Sequence, residues 1–303
     1  MSIKGNLNPV FLSKLLLWAA MAAWTTYLLR RRRVSLKARF LLLAAGVLVF
    51  GVGYAFLTRG GPNPNPVLSL RGVLSALLIS HKVILPLFAS LAFLLLLVFI
   101  SNKSICGWGC QLGLLQDLLF RVPTPKWQPP FWLTNGIRIA AFLALALGLA
   151  IAGYDWIAEV DPFRLFTTRI LPGGVALGGV VLIASPFIYR PWCRFLCPFG
   201  LLSWVVEQVS FFRPRIDRGE CRGCKLCVRA CPSGAMADFY AGKRIHADCF
   251  ACGACIAACP NPKALGWWKP NQEKGLQLSG DNLHAPSNLV PTSSGQIKNS
   301  LDA

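Results

Sequence analysis

The nineteen residues from Val83 to Ser101 include fourteen Leu, Ile, Val or Phe and no charge, which leaves few folds open to the chain. As a helix they reach about 28 Å at ~1.5 Å per residue, close to the ~30 Å hydrocarbon core of a bilayer. Insertion of such a segment is favourable by roughly −4 to −8 kcal/mol, at about −0.3 to −0.6 kcal/mol per large apolar residue. Residues 10–29, 40–58, 136–153 and 171–189 are of similar character. The expectation is an α-helical membrane bundle of about five spans, or four if Lys14 keeps the first segment in the interface.

Charge supplies the orientation. Residues 1–116 contain no Asp or Glu, and the net charge of +19 is carried by Lys and Arg set between apolar runs. Cytoplasmic loops retain such cations, so the basic excess calls for lipid rather than nucleic acid. Arg30 to Arg33, Lys37 and Arg39 place the first connection in the cytoplasm. Alternation then sends residues 59–82 and 154–169 outward and keeps residues 106–126, and everything after Arg190, inside. The first apolar run ends in four arginines rather than a small-residue cleavage motif, so it is expected to be a retained helix. The expected location is a bacterial inner membrane, crossed several times.

Twelve cysteines carry the chemistry. Cys221, Cys224, Cys227 and Cys231-Pro232 are followed by Cys249, Cys252, Cys255 and Cys259-Pro260, both with x2, x2, x3 spacing. This is the two-cluster bacterial ferredoxin pattern, in which three close thiolates hold one 4Fe-4S cubane and the fourth reaches the other. Crossed wiring assigns Cys221, Cys224, Cys227 and Cys259 to the first cluster and Cys249, Cys252, Cys255 and Cys231 to the second. Zinc sites instead use two Cys-x2-Cys pairs or Cys/His mixtures. The chain thus divides into a transmembrane domain over residues 1–212, an α+β two-cluster ferredoxin-like module over 213–270, and a polar tail, 271–303, expected to be disordered.

A second signal is repeated. Cys106 and Cys110, then Cys193 and Cys197, each form Cys-x3-Cys-x-x-Gly-Leu-Leu after an apolar segment. Residues i and i+4 of a helix share a face, so each pair can present two thiols in one direction. Three readings stay open: a further metal or iron-sulfur site, a dithiol redox pair, or buried cysteines that only pack.

Spanning helices, two Cys-x3-Cys elements and a C-terminal two-cluster ferredoxin together resemble the NapH/MauN/NosR group of membrane ferredoxin-type proteins. The resemblance covers roughly residues 40–262; Cys193 to Pro198 matches the group's Cys-x3-Cys-Pro, whereas Gln111 replaces the proline in the first copy. It implies electron transfer between the quinone pool and protein redox partners of a respiratory or dehydrogenase complex, as in a quinol dehydrogenase subunit. The alternatives are an assembly factor that supplies electrons or reduces metal for a metalloenzyme, and a redox-sensing membrane protein. Quinol oxidation needs a proton acceptor, and His81, Asp155, Glu159 and Asp161 are candidates on the outer side. The competing reading has the acids capping a loop or pairing with Arg164 and Arg169, and His81 lying in the interface.

Overall fold

A computed structural model describes residues 9–34, 36–58, 65–167 and 172–268. Arg169 and the tail 271–303 lie outside the described residues.

Helix α1, Pro9–Arg30, buries Lys14, Leu15, Trp18, Ala22, Thr25, Thr26 and Leu29, a stripe at helical spacing that fixes one face against the bundle. The next rod runs as α2, Leu36–Gly46, a π-helical stretch Val47–Gly53, and α3, Tyr54–Leu57. With α8, Phe131–Ala152, these are the three helices among the described residues long and apolar enough to cross a membrane: Pro9–Arg30, Arg39–Leu57 and Phe131–Ala152. The wide π turn presents the Phe50 carbonyl to Lys14 Nζ at 3.2 Å, so the lysine inside α1 is buried with an acceptor.

The other two expected spans are shorter than the hydropathy suggests. Residues 83–101 form α5, Leu85–Ser101, and 171–189 form α10, Pro172–Ala184. Each leads into a broken pair of short helices: α6, Ser104–Trp108, and α7, Gln111–Leu119, after α5; α11, Pro191–Phe195, and α12, Pro198–Glu207, after α10.

Neither expected outer connection is a plain loop. Residues 59–82 contain α4, Pro66–Leu78, which packs on α5 through a face that buries Val67, Leu70, Val73 and Ala76. Asn65 caps it, accepting from Leu68 N at 2.8 Å, and Pro66 takes the first helical position, where no N–H is missed. Residues 154–167 contain α9, Trp156–Val160, and a 3-10 turn, Pro162–Phe166, and turn back into the bundle, burying Ile157, Phe163 and Phe166.

The Cys-rich block is closed by β1, Arg213–Ile216, antiparallel to β2, Leu265–Trp268, with Arg213 opposite Trp268 and Ile216 opposite Leu265. Between them lie α13, Leu226–Arg229, α14, Ala235–Tyr240, and α15, Ala254–Ala258. Leu29 of α1 belongs to the same small core as Ile216, Met236, Ile256 and Trp267. Arg32, just past α1, donates to the carbonyls of Ile256 at 2.7 Å, Cys259 at 2.9 Å and Leu265 at 3.1 Å. The block is thereby pinned to one end of the bundle.

Candidate redox metal centres

The two Cys-x3-Cys elements do not lie on continuous helices, so the shared-face argument from i and i+4 fails. Cys106 sits in α6 and Cys110 caps α7; Cys193 sits in α11 and Cys197 caps α12. The break has a physical reason: in each copy the second cysteine is an N-cap. Cys197 Sγ accepts from Gly200 N at 3.2 Å; Gly113 N–H, at the matching position, acts on Cys110 without closing a cap hydrogen bond. Such N–H groups, with the positive helix end behind them, suit a thiolate. The repeated glycine is also sterically required. A Cβ on Gly113 would come within 2.9 Å of the Cys106 carbonyl oxygen, and one on Gly200 within 2.7 Å of that of Cys193.

All four cysteines are buried and line one cavity. Phe250, from the ferredoxin block, lines it too. So do Pro66 and Val67 of α4 and Phe163 of the 3-10 turn, contributed by the two segments expected to be outer connections. These segments share a construction: Asn65-Pro66 opens α4, and Asp161-Pro162 opens the 3-10 turn, where Asp161 accepts from Phe163 N at 3.1 Å.

Buried cations surround the cavity. Arg190 Nη1 donates to the Cys106 carbonyl at 2.6 Å and Arg138 Nη1 to that of Cys193 at 3.2 Å. Their countercharges are Asp117, 2.9 Å from Arg190 and also paired with Arg39, and Asp248, 3.0 Å from Arg138 and also paired with Lys103. Burial alone would raise Asp117, but Arg39 and Arg190 hold it at about 2. The same opposition, from Lys103 and Arg138, keeps Asp248 below the ordinary carboxylate range. Lys103 also lies 3.4 Å from Glu207, but burial, reinforced by Asp248, pushes Glu207 up to about 8. Burial likewise pushes the Cys193 thiol up to about 12. An isolated thiolate is therefore disfavoured there, and a bound metal centre would supply the missing positive charge.

In the ferredoxin block, Cys221, Cys224, Cys227 and Cys259 line one cavity. Cys231 lies within electrostatic reach of Cys249, Cys252 and Cys255. The second group faces the bundle: Arg39 donates to the Cys252 carbonyl, Trp108 Nε1 to that of Ala251 at 2.9 Å, and Glu207 Oε1 accepts from Cys249 N at 3.1 Å. Among the described residues no group of three or more His, Cys, Asp or Glu is placed to hold a metal ion.

The outer candidates do not converge. Asp155 and Asp161 both pair with Arg71 of α4, at 2.6 and 3.4 Å, so they act as caps and ion-pair partners, with Arg71 in the place expected of Arg164. Glu159 and His81 are exposed, the latter in the turn between α4 and α5. Sequence reasoning missed Phe250, Arg138 and Arg190. Only Arg190 left a trace, since the repeat aligns it with Lys103.

A family model described as a 4Fe-4S dicluster domain matches residues 213–260, and one described as a 4Fe-4S binding domain matches twice, at 83–130 and 170–218. The second therefore covers both Cys-x3-Cys elements. YccM of Escherichia coli K12, an electron transport protein by name, is 32% identical over 180 residues, 51% of this chain and 49% of its own length. The regulatory protein NosR of Pseudomonas aeruginosa is 32% identical over 43% of this chain and 20% of its own length. NirI of Paracoccus denitrificans is 29% identical over 46% and 22%. The chain spans about half, or less, of the length of these relatives. No solved structure matches it.

Proposed function

We propose that the chain, which is similar to the ferredoxin-type proteins NosR, NirI and YccM, conducts electrons through three 4Fe-4S sites ranged from the aqueous surface into the bundle. The ligands would be Cys221, Cys224, Cys227 and Cys259; Cys231, Cys249, Cys252 and Cys255; and Cys106, Cys110, Cys193 and Cys197. Such clusters exchange single electrons at potentials set by charge, hydrogen bonds and exposure.

The observation that carries this reading is contact: Phe250, next to Cys249, lines the four-cysteine cavity. The protein's own residues then have separable tasks. Gly200 holds its N–H on the Cys197 sulfur, Arg138 and Arg190 fix the carbonyls of Cys193 and Cys106, and the buried cations favour the reduced state of the innermost site. Burial of all four cysteines disfavours metal hand-over, and with it the assembly-factor reading.

We further propose that electrons are exchanged with the quinone pool of a bacterial inner membrane, with the ferredoxin block in the cytoplasm. The slot for the quinone is a groove of about 670 Å³ between α1 and α5, lined by Ala19, Ala22, Ala23, Leu97 and Ile100, with Thr26, Tyr27 and Ser101 toward one end. Ser101 bonds to Ser104, two residues from Cys106.

The test is composition. Anaerobically purified chain should hold about twelve irons and about twelve acid-labile sulfides, as three cubanes require. Cys193→Ala should lower both to about eight, leave the EPR signals of the two ferredoxin clusters intact and stop electron delivery. About eight in both proteins, with unaltered delivery, returns Cys193 to a packing role.

A further inference from the structure

Cys224 is the one exposed cysteine among the described residues, and its surroundings are cationic. Arg222 and Lys225 line the cavity that Cys224 shares with Cys221, Cys227 and Cys259. Lys263 adjoins Arg222 in a neighbouring hollow, and Arg218 lies over the ring of Tyr240, a wall of the same cavity, at 4.9 Å. These four cations are exposed, as is Arg229 at the end of the single turn that begins beside Lys225. Against them stand exposed Glu220, which accepts from Asn261 Nδ2 at 3.2 Å, and half-buried Asp217, which accepts from Gly219 N at 3.0 Å.

The other half of the block points away from water. Cys255 is buried, a Cβ on Gly253 would meet Leu29 at 2.7 Å, and Phe250 enters the bundle. An electron passing between this block and an aqueous partner therefore crosses at the Cys224 edge, and that edge is positive.

We propose that this edge is the docking surface for a small soluble electron-carrier protein with an acidic face. The inference rests on the reading that Cys221, Cys224, Cys227 and Cys259 hold a cluster. In the exchange, the reduced carrier loses one electron and the cluster gains one; no bond is made or broken and no proton moves. Complementary charge steers such encounters and raises their rate by about 10 to 10³, an advantage that salt removes. A protein is favoured over a lipid surface because the cations ring the exposed cysteine, and seating that ring on headgroups would seal off the point of exchange.

The experiment uses the full chain in phosphatidylcholine nanodiscs, mixed in stopped flow with photoreduced plant-type 2Fe-2S ferredoxin as the acidic probe. Photoreduced deazariboflavin, which is uncharged, serves as the control reductant. The rate with ferredoxin should fall about tenfold or more between about 20 mM and about 500 mM salt, while the deazariboflavin rate stays constant. The double reversal Arg229→Glu and Lys263→Glu should slow the ferredoxin reaction about tenfold at low salt and flatten its salt dependence, with deazariboflavin reduction unaltered. Equal ferredoxin rates at both salts and in the double variant overturn the proposal. So does a wild-type salt dependence that vanishes in phosphatidylglycerol nanodiscs, because the edge is then seated on lipid. Failure of deazariboflavin to reduce any cluster in the wild type instead removes the cluster reading beneath it.

Discussion

Gly107 stands between the cysteines of the first pair, and a Cβ on it would collide with the Phe250 carbonyl oxygen. That oxygen is backbone on a loop held nearby by the Trp108 indole N–H on Ala251, so it cannot rotate away. Gly107→Ala should therefore push the Cys249–Cys252 loop off the bundle, at an overpacking cost of roughly 1–3 kcal/mol. The check is thermal melting in detergent against Gly136→Ala, whose Cβ would meet nothing within 4 Å and which should leave stability unchanged or raised. Equal melting of the two variants would show that the loop does not dock at Gly107. At this scale the cysteines and the repeated glycine are legible in the sequence, because ligand spacing is a local property of the chain. The glycine's reason is not, since it depends on a carbonyl across a helix break. Still less legible is the ion network: Lys103 and Asp248 stand 145 positions apart, and Arg138 and Asp248 110 apart, with no local pattern to mark them.

Helices long enough to cross a membrane announce themselves by hydropathy alone; shorter elements need a partner to explain them. At thirteen residues, α4 is too short for that signal, and its apolar face becomes meaningful only against α5. The return of residues 154–167 into the bundle is hidden for the same reason, because Ile157, Phe163 and Phe166 are spaced among charges. Together with α4 it completes the wall of the four-cysteine cavity, which Pro66, Val67 and Phe163 line alongside Phe250 of the ferredoxin block. The groove between α1 and α5 gives this scale its own test. Its floor depends on the small side chains Ala19, Ala22 and Ala23. Ala23→Phe fills it from an exposed position without touching any cysteine. Quinol-driven reduction of the clusters in membranes should fall at least about tenfold, as a blocked pocket requires, while reduction by dithionite stays at the wild-type level. Unchanged quinol-driven reduction would remove the groove as the quinone slot.

For the whole molecule, the two ends of the bundle differ in charge and in what is attached to them. Arg30, Arg31 and Arg33 are exposed at the end of α1, and the ferredoxin block is fixed to that same end through Leu29 and Arg32. Helix α8 connects the two ends. Phe131 at its start packs against the ferredoxin core, Arg138 reaches Asp248 two turns later, and the helix then continues to Ala152, about 21 Å further at ~1.5 Å per residue. The arginine-bearing end should be cytoplasmic, because cations flanking apolar helices are retained on that side. Alkaline phosphatase, active only after export, distinguishes the ends. Fused after Gly153 it should be active, and fused after Gly234 inactive. The pair controls for expression, since each fusion must reach the membrane to give its signal or lose it. A reversed pattern would put the cationic Cys224 edge outside the cell and replace a cytoplasmic carrier with a periplasmic one, without disturbing the cysteine geometry from which the electron path is argued.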